Sequence, residues 1–171
     1  SGLKVSLAGL GCNNFGMSLD ASATQKVVDA SLDAGINFFD TADIYGEGNS
    51  EVYLGRALGN RRHDVVISTK FGVPTGAGPN QKGASRRYVL SAAEASLKRL
   101  GTDYIDLYQV HMQDGAVPIE ETLRALCDLV TQGKVRYIGC SNYTGYRLTE
   151  SVFTARELGT SAFTSVQLQW S

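Results

Sequence analysis

The chain alternates between short, nearly continuous apolar runs and longer stretches in which apolar residues recur every three or four positions. Six runs, over residues 4–11, 36–42, 64–70, 104–111, 135–142 and 163–171, are rich in Val, Ile, Tyr and Phe. Such runs read as strands of a parallel sheet buried on both faces, where both sets of alternating side chains meet apolar neighbours. The intervals carry helical spacing and helix punctuation. Ser22 with Gln25 forms a possible capping box for a helix that stops at Gly35. Asn49 or Ser50 stands where a cap would open a helix ending at Gly59. Ser85 opens a helix in which Val89, Ala93, Leu97 and Leu100 share a face. Pro118 suits the first turn of a helix closing at Gly133, and Thr144 caps one closing at Gly159.

Strand and helix thus alternate with a repeat of roughly 30 residues, the size of one βα unit. Two architectures fit, an open doubly wound sheet and a (β/α)8 TIM barrel. The first βα turn, GLGCNNFGM, holds glycines, but its helix starts only near Ser22. A dinucleotide-binding glycine loop would run straight into the helix, so the barrel is favoured. About the first six βα units are represented, roughly two thirds of the ~250 residues of a typical barrel. The expectation is a single domain over residues 1–171, truncated at both ends, that belongs to a longer protein. One connection is long: residues 71–85 carry glycines and prolines without periodicity and read as a lid or substrate loop beside the mouth of the barrel.

The polar residues at the ends of the runs bear the chemistry. Asp40, Lys70, His111, the pair Ser141–Asn142, and Gln167 close five successive runs, and Tyr45 follows Asp40 by five residues. In a barrel, side chains at the carboxyl ends of successive strands converge on one mouth. Each residue alone has an ordinary structural use, a solvated lysine or a turn aspartate among them; five together at the same end of five strands point to a site.

Composition adds bounds. The 171 residues are 43% hydrophobic with a formal net charge of -1, which gives no electrostatic case for nucleic acid or anionic membrane as partner. No apolar stretch approaches the ~20 residues of a membrane span. Cys12, Cys127 and Cys140 sit at no metal-ligand spacing, and their odd number suits a reduced, cytoplasmic setting.

The segments NFFDTADIYG, VVISTKFG, IDLYQVH, VRYIGCSN and SVQLQ resemble the signature segments of the aldo-keto reductases. EGNSEVYLGRAL and ASLKRLGTDYIDLY are similar to the bacterial and potassium-channel β-subunit-like branches. The resemblance spans nearly the whole chain in five ordered segments. It implies a (β/α)8 barrel, NADP(H) as cofactor and a small-molecule carbonyl substrate. It implies a catalytic tetrad of Asp40, Tyr45, Lys70 and His111. Cofactor contacts fall on Asp40, Ser141, Asn142 and Gln167, with Gly11, Cys12 and Asn13 at the end of the first strand. Cys12 and Asn13 depart from the residue types usual there. Asp43 and Gly46 are expected to shape the turn that projects Tyr45, and Met112 and Trp170 are candidates to line the substrate pocket, with core packing the more usual role of either. In that family the adenosine phosphate is held by loops after the seventh and eighth strands, which lie beyond Ser171.

The implied chemistry explains the residue types. Hydride delivered to a carbonyl carbon leaves charge on oxygen that must be protonated. A free phenol, with pKa ≈ 10, is a sluggish acid near neutrality, and a lysine ammonium lowering that value by two to three pH units supplies roughly 3–4 kcal/mol. Lys70 fits that role with Asp40 as its carboxylate partner, and His111 fits as a neutral donor to the carbonyl. The reading is an NADPH-dependent carbonyl reductase. The alternatives are a channel β-subunit-like regulatory protein that keeps the site with little turnover, and a barrel with different chemistry such as isomerisation. Substrate identity, reaction direction and oligomeric state are not legible.

Overall fold

The computed structural model describes residues 1–169, and Trp170 lies outside them. Six strands, β1 (Leu10–Gly11), β2 (Phe38–Asp40), β3 (Val66–Phe71), β4 (Ile105–Val110), β5 (Val135–Ser141) and β6 (Ser165–Gln167), lie side by side in chain order. Every neighbouring pair is parallel. Five helices fill the crossovers: α1 (Ala21–Asp33), α2 (Asn49–Leu58), α3 (Arg86–Leu100), α4 (Ile119–Thr131) and α5 (Gly145–Leu158).

The sheet is curled rather than flat, and one hydrogen bond demonstrates it. Gln167 on β6 donates from Nε2 to Oδ2 of Asp40 on β2 at 2.9 Å. In a flat sheet those residues stand four strand spacings apart, about 19 Å, beyond the combined reach of the two side chains. The six strands therefore form an arc of an incomplete (β/α)8 barrel with its inner face toward that bond. Alternation along the strands sorts the side chains. Asp40, Ser68, Lys70 and Gln109 face inward. Phe39, Ile67, Phe71, Tyr108, Val110, Ile138 and Cys140 face the helices and join the buried core. Phe71 and Tyr108 stack there with ring centroids 4.7 Å apart.

Several boundaries differ from the sequence expectation. The run at 4–11 pairs only at Leu10 and Gly11, because β2 offers it only Phe39 and Asp40 as partners; Leu7 is fully exposed. The last run narrows to Ser165–Gln167. The Ser22–Gln25 capping box is not used: Asp20 caps α1, its Oδ1 accepting from the Ala23 amide at 2.8 Å. Neither Asn49 nor Ser50 caps α2. Gly48 holds that position without a side-chain bond, and the Ser50 hydroxyl turns inward to Cys12 O and to Thr41 Oγ1, both at 2.7 Å. Ser85 and Thr144 do cap α3 and α5. Helices α2 and α3 cross closely at Gly55, where a Cβ would run into the Leu100 carbonyl.

Candidate active site

The backbone brings the strand ends to one rim. The Cys12 amide donates to Asp40 O, Thr41 to Ser68 O, Asp43 to Lys70 O, His111 to Phe71 O and Asn142 to Gln167 O, at 2.8–3.1 Å. These bonds continue the ladder past each strand end, so Asp40, Lys70, His111, Ser141 and Gln167 arrive at one level. Tyr45 comes to the same rim on a different device, a 3-10 turn over Tyr45–Gly48. Gly46, Glu47 and Gly48 there all have positive φ (56°, 55° and 89°), a left-handed course that glycine adopts freely and glutamate only under restraint.

Lys70 is the centre of the constellation. It is 1% exposed, and its ammonium donates to Asp40 Oδ2 at 2.6 Å and to Thr41 O at 3.0 Å. Asp40 Oδ2 also accepts from Gln167. Gln167 Oε1 accepts from Gln109 Nε2 at 3.2 Å, and Gln109 donates on to Ser68 Oγ at 2.8 Å. A continuous polar network thus lines the inner face from β2 to β6. A buried ammonium needs a paired carboxylate and a carbonyl acceptor, and this site provides both.

Tyr45 and His111 stand over that network. Their rings meet edge to face at 5.7 Å, and Lys70 Nζ lies 5.3 Å from the Tyr45 ring centroid. The expected depression of the tyrosine pKa is not found. Burial, with the Asp40 carboxylate adding to it, raises the phenol above its usual 10. The physical reason is desolvation: on this part-buried rim a phenolate would lose more hydration than the neutral phenol does. Tyr45 therefore keeps its proton at neutral pH. His111 is shifted down, first by burial and then by the Lys70 charge, so its imidazole is neutral near pH 7. Among the described residues, its Nδ1 and Asp40 Oδ1 are buried without hydrogen-bond partners.

The remaining expected residues divide. Asn142 adopts φ 56°, and its amide nitrogen donates to His111 O at 3.0 Å and Ser141 Oγ at 3.1 Å. Gln167 joins the network directly, whereas Gly11 and Asn13 lie exposed at the rim. Cys12 is fully buried, its thiol donating to Leu10 O at 3.6 Å, and burial pushes that thiol up to about 12. Cys140 is likewise buried, with its thiol pushed up to about 12 by burial. Met112 lines a cleft of about 570 Å³ between the long loop and residues 112–117.

Gln109 and Ser68 were not singled out from sequence. A glutamine inside the otherwise apolar run IDLYQVH is the signal that marks it, since an inward polar residue on a buried strand needs a partner. Asp43 was expected only to shape the turn. It is 4% exposed, accepts from the Tyr88 hydroxyl at 3.3 Å, and burial with the nearby Glu51 carboxylate raises its pKa to about 7.

A lysine–carboxylate pair, a tyrosine and a histidine thus stand together at the carboxyl ends of parallel barrel strands, an arrangement of titratable groups suited to a barrel enzyme's mouth. The aldo/keto reductase family model matches residues 8–171, and the chain belongs to that family. It is 42% identical over 155 residues to a probable voltage-gated potassium channel subunit beta of Arabidopsis thaliana, covering 88% of this chain and 47% of the relative. It is 40% identical over 176 residues to probable aldo-keto reductase 1 of Glycine max, covering 99% and 49%. An uncharacterized oxidoreductase of Bacillus subtilis is 41% identical over 162 residues, 88% and 50% of the two chains. The chain spans about half the length of the curated relatives it matches. Among the described residues no helix is long and apolar enough to cross a membrane.

Proposed function

We propose that this chain carries the proton-transfer centre of an NADP(H)-dependent oxidoreductase that reduces aldehyde or ketone carbonyls to alcohols. The observation that supports this reading most is the Lys70–Asp40 pair, 2.6 Å long and buried beneath the Tyr45 ring. The residues at the mouth fit a nicotinamide carboxamide. Ser141, Asn142 and Gln167 offer amide and hydroxyl groups of both polarities at one rim, and Asp40 Oδ1 is a buried acceptor without a donor. Gly11, Cys12 and Asn13 would approach the same group along their backbone, since the Cys12 thiol is turned into the core. When bound, NADPH supplies the hydride that reaches the carbonyl carbon.

The chain's own residues supply position and the proton. His111, neutral, donates a hydrogen bond to the carbonyl oxygen and polarises it. Tyr45 transfers its hydroxyl proton to that oxygen as negative charge develops there. The nearby Lys70 charge then stabilises the phenolate that remains, while Asp40 and Thr41 O fix the ammonium in place. The raised phenol pKa is consistent with this order of events: the proton stays on Tyr45 until a strongly basic oxygen is formed.

The channel-subunit names among the relatives support a second reading, a regulatory protein that retains the site with little turnover. A panel of aldehydes and ketones, assayed on the intact protein with NADPH and NADH, separates the two. Consumption of NADPH with alcohol formation supports the reductase; cofactor binding with no carbonyl reduced across the panel supports the regulatory protein.

A further inference from the structure

Behind the site, on the outer face of the sheet, stands a carboxylate that the proposed chemistry does not use. Glu51, in the first turn of α2, is fully buried. Its Oε1 accepts from the Thr69 hydroxyl at 2.6 Å, and its Oε2 accepts from Arg99 Nε at 2.6 Å. Thr69 is the residue before Lys70 on β3, pointing outward where Lys70 points inward. Arg99 lies at the end of α3, and its side chain leans on the turn that carries Tyr45: a Cβ on Gly48 would stand 2.9 Å from Arg99 Cδ. That turn holds three successive left-handed residues, one of them Glu47. The glycines adopt this course freely, but Glu47 holds it only where its surroundings enforce it.

We propose that Glu51 and Arg99 are positioning residues for Tyr45 and Lys70. A single buried carboxylate references both groups. Through Thr69 it fixes the strand that aims the lysine, and through the Arg99 stem it presses the Gly46–Gly48 turn that aims the phenol. The spacing of the two proton-handling side chains is thereby set from outside the barrel. A charged pair suits this task because its geometry is directional, where an apolar pair of the same volume packs with many nearly equal alternatives. The inference rests on the carbonyl-reductase reading for its kinetic consequence, but its structural content stands apart from turnover.

The test uses the intact protein with 3-fluorotyrosine placed at position 45. Its fluorine resonance reports the ring's surroundings, and kcat, carbonyl KM and NADPH Kd are measured beside it. In Glu51→Gln the resonance is expected to shift or split. The kcat is expected to fall roughly 10- to 100-fold, the size of effect expected from about 1 Å of misplacement, with carbonyl KM and cofactor Kd held within about threefold. The double variant Glu51→Gln/Arg99→Met leaves no unpaired buried charge and carries the same test if the single variant does not fold. Thr69→Val keeps the ion pair and removes one hydrogen bond, so a smaller shift is expected. Variants that melt lower yet keep the wild-type resonance would overturn the proposal and leave the pair a purely stabilising role. A wild type that reduces no carbonyl would overturn the functional reading instead, and the fluorine shift would still decide the proposal.

Discussion

Replacing Asp43 by Asn should abolish a specific pH dependence of stability. Asp43 is buried, its Oδ1 has no partner, and its strongest neighbours are the Glu51 carboxylate, which repels its charge, and Arg99, which only partly offsets that. The folded protein therefore holds the Asp43 proton up to about pH 7, against 3.8 for a free side chain. Between these values the folded state binds a proton that the unfolded chain has released, so stability falls as pH rises. The contribution is fully present below the unfolded value and gone above the folded one. Roughly three pH units, at about 1.4 kcal/mol each, give about 4 kcal/mol lost from this one group. Asn keeps the shape and accepts the Tyr88 hydroxyl but does not titrate. The assay is urea unfolding of the intact protein and its Asp43→Asn variant at intervals from pH 4 to 8. The wild type minus variant difference should decline by about 4 kcal/mol across that range, most of it before pH 7. A difference that stays flat, or that rises with pH as for an ion-paired aspartate, would refute the placement of this carboxyl in a desolvated, like-charged pocket.

Two further outcomes follow from packing and pairing. Lys70→Met leaves the part-buried Asp40 carboxylate without its cation and should cost about 3 kcal/mol by chemical denaturation, with Asp40→Asn/Lys70→Met recovering part of it. Gly55→Ala drives a methyl into the Leu100 carbonyl at the α2–α3 crossing and should cost about 1–3 kcal/mol; a thermal melt unchanged from wild type would contradict that close approach.

Much of the arrangement was legible because barrel strands place chemistry at their carboxyl ends, and the run-ending residues Asp40, Lys70, His111, Ser141 and Gln167 do share one rim. Helix stops are legible from local glycine chemistry, as at Gly159, which caps α5 in the left-handed conformation. Other features depend on contacts that no local pattern encodes. The run at 4–11 has a strand's composition, but only two of its residues meet a partner on β2. Asp20 outcompetes Ser22 as the cap of α1 because the chain enters that helix two residues earlier than the capping-box pattern implies. No local pattern marks Glu51, and only the approach of Thr69 and Arg99 makes it buried and paired. The tyrosine pKa had the expected lysine beside it, yet moved the other way, because burial, with the Asp40 carboxylate adding to it, disfavours the phenolate.

The most direct test of the central claim is the rate of alcohol formation from an aldehyde and NADPH by the intact protein and its Tyr45→Phe variant, with NADPH affinity measured alongside. Loss of the proton donor should lower the rate by about 10²- to 10⁴-fold while cofactor affinity stays within about threefold. A Tyr45→Phe variant that reduces the aldehyde as fast as the wild type would contradict the account.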